Sequence, residues 1–340
     1  GTVQNGSVLL ADLVDVLDLT ATASRRADKV AGLAALLRLT PIEEVEGVVA
    51  LSVGTLRPTH DISGWTTALT DDHPAAPQSS LTVDDVRRVV EEMSIASGPQ
   101  AVEAAAHSVV RLLEHASESE QAAIRSMLDP DGEAPVSASV MSTAIANAAR
   151  VRVGDVRRAA SVTGSLPMTA TLAFLEGTTA LESVEPRPGR PIQPMQAAPV
   201  DELDESVSGE TCIEWALTGL RVQAHRAGRT VSLFGHDGVT SVDITERLPR
   251  IVDLVRGLPG DDLVLDGELS GADMPDPARI DIDRRVWFFD ILFDGDALLD
   301  QTLADRRHAL HGVVPEELRL PSIETSDPAE VEGFLREAQS

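Results

Sequence analysis

The stretch Cys212-Ile213-Glu214-Trp215-Ala216-Leu217-Thr218-Gly219-Leu220-Arg221-Val222-Gln223-Ala224-His225-Arg226 marks a change of period in the chain. Cys212, Glu214 and Ala216 alternate with Ile213, Trp215 and Leu217. A period of two belongs to strands, whose successive side chains point to opposite faces. Strand-like runs return at Arg221 to His225, Val231 to Phe234, Leu263 to Leu269 and Val286 to Phe293. Helical patterns intervene at about 246 to 257, 302 to 312 and 327 to 338, the last opened by Asp327-Pro328-Ala329-Glu330. Strands in runs with interspersed helices predict an α+β domain with antiparallel sheets rather than a regular βαβ repeat.

Working outward, prolines at 186, 188, 191, 194 and 199 with Gly189 forbid a helix. Asp201, Glu202, Asp204 and Glu205 follow as an acidic run. A domain boundary belongs here, with residues 184–200 as the connection and 201–340 as the second domain. Residues 1–183 read as helix after helix. Thr40-Pro41-Ile42-Glu43 and Ser117-Glu118-Ser119-Glu120 have the form of capping boxes. Ser97-Gly98-Pro99 opens another helix, with Val102, Ala105, Val109 and Leu112 at helical spacing. The fold expected is therefore an all-α N-terminal domain followed by an α+β domain. Two domains also suit 340 residues, since single cores stop growing at roughly 250–300 residues.

Fifty-five acids against 28 cations give a net charge of −27, and Lys29 is the only lysine among those cations. A chain of this sign repels nucleic acid unless its arginines gather on one face. Both sides of the boundary share the bias, with 25 acids and 15 cations through residue 200 and 30 and 13 beyond it. Cys212 stands alone, which excludes an internal disulfide or a thiolate zinc cluster. No apolar run reaches the roughly 18 residues of a membrane helix, and no signal pattern opens the chain, so a soluble cytoplasmic protein without membrane contact is expected.

Several segments, in order, carry a resemblance. Gly189-Arg190-Pro191-Ile192-Gln193-Pro194-Met195 leads into Ile213 to Arg226; Leu263-Val264-Leu265-Asp266-Gly267-Glu268 and Phe288-Phe289-Asp290-Ile291-Leu292 follow. Upstream stand Val156-Arg157-Arg158-Ala159-Ala160 and Gly164-Ser165-Leu166. Together they resemble ATP-dependent DNA ligases of actinobacterial and archaeal type. There a helical DNA-binding domain precedes an adenylation (nucleotidyltransferase, ATP-grasp-like) domain. The resemblance implies a role in DNA repair or replication, nicked double-stranded DNA as partner and ATP with Mg²⁺ as cofactors. In that family a lysine attacks the α-phosphorus of ATP, and the adenylate passes to a 5′-phosphate before a 3′-hydroxyl displaces it.

At the lysine's position stands Ala216, and Thr218 stands where the family has an aspartate. Leu233-Phe234-Gly235-His236-Asp237-Gly238 offers no match for the family's next arginine, and Ser340 falls just before its Glu-Gly-Val and Lys-x-Lys motifs. The resemblance thus points to a truncated, degenerate pseudoenzyme with no catalytic or metal residue assigned. The alternatives are an altered or shortened form of an active ligase, or an acidic module that binds a basic protein partner.

By resemblance, Glu214 lies near the adenine edge, Gly219 allows close backbone approach, Arg221 faces ribose or phosphate, Glu268 accepts from the ribose and Phe289 stacks on the base. Binding of ATP or AMP would be weak. The plainer reading has Phe289 in the core and Arg221 paired with Glu268. Arg150, Arg152, Arg157 and Arg158 are the candidate DNA contacts, against pairing with acids such as Asp155. Met127-Leu128-Asp129-Pro130-Asp131-Gly132-Glu133 and Arg57-Pro58-Thr59-His60-Asp61-Ile62-Ser63-Gly64-Trp65 carry acids where the family's loops approach DNA. His308 and His311 lack a third metal ligand, Asp294-Gly295-Asp296 reads as a hairpin turn, and Cys212 reads as a buried strand residue.

Overall fold

The computed structural model describes residues 7–56, 69–96, 98–129, 132–195, 211–236, 241–270 and 285–338. The chain divides into two compact units, Gly1–Val184 and Glu185–Ser340. Arg57 to Trp65, Pro130 and Asp131 lie outside the described residues.

Among the described residues, the first unit has ten helices: α1 (Leu10–Thr22), α2 (Arg26–Leu39), α3 (Ile42–Ser52), α4 (Val83–Ile95), α5 (Pro99–His115), α6 (Glu118–Leu128), α7 (Ala138–Ala149), α8 (Val153–Thr163), α9 (Leu166–Leu175) and α10 (Thr178–Glu182). Their apolar faces share one core running from Val8 to Leu181. Helix α5 starts as its sequence predicts, with Gly98 at φ +83° and Pro99 in the first turn, and Ala105, Val109 and Leu112 buried on one stripe. At α6 the capping box forms: Ser117 Oγ accepts from the Glu120 N–H at 3.4 Å, and the Glu120 carboxylate accepts from the Ser117 N–H at 2.8 Å. A further box forms at α4, where Asp85 replaces the usual Glu and bonds Thr82.

The box expected at Thr40 does not form. Thr40 ends α2, and its hydroxyl donates back to the Leu36 carbonyl at 3.0 Å, so it is consumed before α3 begins. Pro41 takes the N-cap position without a side-chain bond.

In the second unit a six-stranded antiparallel sheet has the order β4-β3-β2-β5-β6-β7, from β2 (Gly219–Ala227), β3 (Thr230–His236), β4 (Ser241–Asp243), β5 (Asp262–Ser270), β6 (Val286–Asp294) and β7 (Asp296–Ala297). Strands β1 (Thr211–Glu214) and β8 (Ser322–Thr325) form a separate antiparallel pair. Helices α11 (Pro249–Gly257), α12 (Leu303–Val313) and α13 (Pro328–Ala338) complete the unit. The alternation of β2 works as its pattern predicts. Leu220, Val222 and Ala224 enter a core with Leu265, Phe288, Ile251 of α11 and Leu310 of α12. Asp294-Gly295-Asp296 makes the tight β6–β7 turn.

Two features depart from the sequence reading. Strand β1 stops at Glu214 instead of running through Leu217. The Pro-rich connection, in its described part, is held by the second unit's sheet. The Ile192 N–H donates to Gln223 Oε1 at 2.9 Å, Gln223 Nε2 donates to the Ile192 carbonyl at 2.8 Å, and Ile192 is buried against Val264 and Leu292. A segment that cannot be helical can still satisfy its backbone from side chains of a neighbouring strand; residues 196–200 lie outside the described part.

Candidate functional site

Strand β6 sets up the site through an irregularity. Its pairing with β5 places Asp266 opposite Asp290 but Gly267 opposite Phe288, so Phe289 is the extra residue of a bulge. The bulge brings β6 close to β5 at Gly267, where a Cβ would lie 2.5 Å from the Trp287 carbonyl oxygen. Phe288 is fully buried in the core, while Phe289 is half-buried and lines a pocket. That pocket has a volume of about 440 Å³, and Glu214, Trp287, Arg307, His311 and Arg319 share its wall with Phe289.

Arg307 organises one side of it. Its side chain is 6% exposed and its guanidinium donates to Glu214, to Glu324 at 3.0 Å and to Ser322 Oγ at 2.6 Å. One buried cation of α12 thereby ties down both strands of the β1–β8 pair. Burial raises the Glu214 carboxyl above its ordinary range, with Arg307 pulling it back down. Burial likewise raises the Cys212 thiol, which is half-buried rather than enclosed as expected. On the far wall the Arg285 guanidinium lies 3.9 Å from the Trp287 ring centroid. Arg319 Nε is a buried donor that has no hydrogen-bond partner among the described residues.

Of the five nucleotide candidates, Glu214 and Phe289 line this pocket and Gly219, Arg221 and Glu268 do not. Arg221 makes a two-bond ion pair with Asp266, Nε to Oδ1 at 2.8 Å and Nη2 to Oδ2 at 2.7 Å. This corrects the expected Arg221–Glu268 pair. Glu268 sits directly across the β2–β5 ladder from Arg221, but the fork of the guanidinium takes Asp266, which is buried and offers two parallel acceptors. Burial raises the Asp266 and Glu268 carboxyls, and Arg221 opposes both shifts. The Arg221 guanidinium also lies 4.5 Å from the Phe289 centroid, so a cation already covers one face of that ring.

Gly219 has a local reason to be glycine, because a Cβ there would lie 2.1 Å from the Leu269 carbonyl oxygen of β5. Gly219→Ala is expected to cost about 1–3 kcal/mol, since backbone must move to admit the methyl. A shift of the urea midpoint checks it; an unchanged midpoint would mean the two strands part freely there. Ala216 and Thr218 are exposed on the loop that follows Trp215, whose N–H bonds the Pro321 carbonyl at 3.1 Å.

The four DNA-contact candidates divide. Arg150 caps α7 in the left-handed region at φ 60° and is exposed, as is Arg157. Arg152 pairs with Asp155 and Glu182, both at 2.9 Å, and Arg158 donates to the Val184 carbonyl at 3.0 Å. Among the described residues no group of three His, Cys, Asp or Glu side chains could hold a metal ion.

The chain is 36% identical over 97% of its length to a probable DNA ligase of Nocardioides sp., of which it covers 68%. The chain belongs to the DNA ligase family. Probable DNA ligases of Saccharopolyspora erythraea and Anaeromyxobacter dehalogenans match at 35% and 34% identity over 97% of the chain, which spans 68% and 69% of them. No protein-family model matches the chain. Among solved structures, a ligase described as Pmar-Lig_Pre. covers 95% of the chain and is itself covered over 70%, with a TM-score of 0.54 at 14% identity. That likeness bears on the fold, which in this ligase-family chain combines helices with antiparallel sheets. Asp266, Arg307, Arg285 and Arg319 were not singled out by the sequence reading. The adjacent pair Arg306-Arg307 is a signal that could have drawn attention to these arginines of α12, beside His308 and His311 on the same helix.

Proposed function

We propose that this chain is a homologue of ATP-dependent DNA ligases that does not form the lysyl-adenylate and acts as a non-catalytic binding or regulatory protein in DNA repair. The observation that carries this reading is Ala216, exposed on the loop two residues after Glu214, where the resemblance calls for the nucleophile. Covalent catalysis by an amine needs an unprotonated lysine aimed at the phosphorus. Lys29, the one lysine of residues 1–340, belongs to the other unit.

Nucleotide binding without covalent capture is supported by the pocket. Its volume falls in the range of small-molecule sites, and its lining combines Trp287, Phe288, Phe289 and Phe334 with cations. Arg319 Nε in its wall is a buried donor without a partner among the described residues. Affinity is expected to be weak, because Arg221, Arg285 and Arg307 are already engaged by protein groups. Nicked DNA is supported as a partner by family membership and by exposed Arg150 and Arg157, with Arg152 and Arg158 already spoken for.

Incubation with Mg²⁺ and ATP labelled on its α-phosphate is expected to leave no label on the denatured chain. A labelled band would overturn the reading. Equilibrium binding of ATP and AMP should be detectable and should weaken roughly tenfold in Phe289→Ala, in line with the 1–3 kcal/mol that base stacking on an aromatic contributes. An unchanged affinity would remove Phe289 from the site.

A further inference from the structure

We propose that the furrow between α1 and α2 is a docking site for a basic amphipathic helix of a protein partner. Its walls are apolar: Val8 and Val16 on one side, Ala35, Leu36 and Leu39 on the other, enclosing about 330 Å³. Two leucines at this surface, Leu39 and Leu19, are each 69% exposed. Leu19 borders a second concavity along α1, formed with Asp15, Asp18 and Thr22, and Asp15 lines both, so the furrow continues along the helix. Contiguous exposed apolar surface of this kind marks interaction sites in soluble proteins.

The floor is open because of Gly32. A Cβ placed there meets only Val16 Cγ1, at 4.0 Å, so an incoming side chain can reach the α2 backbone. Nothing in the backbone demands a glycine, since Gly32 lies inside a regular helix, where glycine costs about 1 kcal/mol relative to alanine.

Charge selects the occupant. Asp12, Asp15 and Asp18 follow one another along the rim of α1, and Asp12 and Asp15 line the furrow itself. Lys29 sits on α2 one turn before Gly32 and lines neither concavity. An apolar channel with an acidic edge matches a helix that carries leucines on one stripe and arginines beside it, the groove-binding mode of amphipathic helices. A second copy of this chain, at −27, and nucleic acid both bring the wrong sign.

The test uses residues 1–340 and a labelled 20-residue helical peptide with leucines at i, i+4 and i+7 flanked by arginines. Two control peptides are used: one with the leucine stripe scrambled at the same charge, and one with glutamates replacing the arginines. Fluorescence anisotropy is expected to show the first bound at least about tenfold more tightly than either control, the spread that a few buried anchors produce. Gly32→Leu, which fills the floor, is expected to weaken binding about tenfold or more. Asp12→Asn with Asp15→Asn and Asp18→Asn should weaken it and flatten its salt dependence. Ala35→Gln, at an exposed wall position, stands in if Gly32→Leu does not fold by circular dichroism. Equal binding of the scrambled peptide, or binding indifferent to Gly32→Leu and Ala35→Gln, would show only attraction between opposite net charges and would overturn the proposal. Binding that appears only after residues 1–6 are deleted would assign the furrow to the chain's own N-terminal segment instead, and would overturn it as well.

Discussion

Arg226→Met is expected to destabilise the second unit by about 3–5 kcal/mol, the range for stripping a buried charged donor from its partners. Arg226 is buried in β2 and, among the described residues, its guanidinium donates to backbone carbonyls. Nε donates to Asp261 at 3.1 Å; Nη1 donates to Val255, Arg256 and Leu258 at 3.2, 3.3 and 2.7 Å; Nη2 donates to Pro259 at 3.0 Å and to Gly260. These carbonyls end α11 and form the turn into β5, groups a helix terminus cannot satisfy by itself. A cation there also meets the negative end of the helix dipole. Methionine fills similar volume and removes the guanidinium from all six carbonyls, of which Val255 keeps the Leu258 N–H at 3.3 Å. Arg226→Lys should recover only part of the loss, since an ammonium cannot span the fork. Urea titration followed by tryptophan fluorescence measures it, as Trp215 and Trp287 both lie in this unit. A change below about 1 kcal/mol would mean that water takes over the carbonyls.

Arg226 shows where the sequence could and could not be read. The count of cations is open to inspection, but their destinations are not. Arg226, Arg306 and Arg307 are buried, and Arg221 closes on buried Asp266. Arg306 forms a two-bond pair with Asp290 at 2.8 and 2.9 Å, sixteen residues away, and Arg307 reaches Glu214 across 93 residues. Pairings at such separations leave no periodic trace. They change the meaning of −27, because a good part of the second unit's positive charge is spent inside it, leaving the surface poorer in cations than the composition implies.

The elements themselves were legible where one period ruled. The stripe of α5 and the alternation of β2 follow from local pattern, and Ser117 and Glu120 cap α6 through four adjacent residues. Thr40 misled because the same four-residue signal is blind to the helix that precedes it. Strand β8, Ser322-Ile323-Glu324-Thr325, is too short to carry a period and exists by pairing with β1. At the site, Phe289 was found by resemblance, but its bulge was not, since an extra residue in one strand is defined only by the partner strand. The choice of Asp266 over Glu268 by Arg221 turns on burial two residues apart along β5. Both acids face the same side, and only the packed sheet separates them.

His225→Asn is expected to abolish an acid-dependent loss of stability of about 3 kcal/mol that the native chain shows between pH 6.5 and pH 4. His225 is buried in β2, and burial lowers its pKa from 6.5 to about 4. Its Nδ1 accepts from the Gly189 N–H at 3.1 Å, its Nε2 lies 3.4 Å from Gln223 Oε1, and Phe234 packs edge-on at 5.0 Å. These contacts fit a neutral ring with the proton on Nε2. Below pH 6.5 the unfolded chain takes up a proton that the folded chain refuses, so stability is fully present above 6.5, declines as the pH falls, and levels off below about 4. Protonation of Nδ1 would set an N–H against the Gly189 N–H, so the first structure to loosen should be the segment 185–195. Asparagine keeps an acceptor near the Nδ1 position and removes the titration. Because carboxylates contribute to acid unfolding of both proteins, the quantity to compare is the difference between native and variant urea stability at pH 7, 6, 5 and 4. It should change by about 3 kcal/mol over that range. A constant difference would show that His225 takes up its proton as readily in the folded chain as in the unfolded one. Hydrogen exchange of the Gly189 and Ile192 amides, rising at pH 5 in the native chain and not in the variant, would place the loss at the segment that carries the Pro-rich connection onto the sheet.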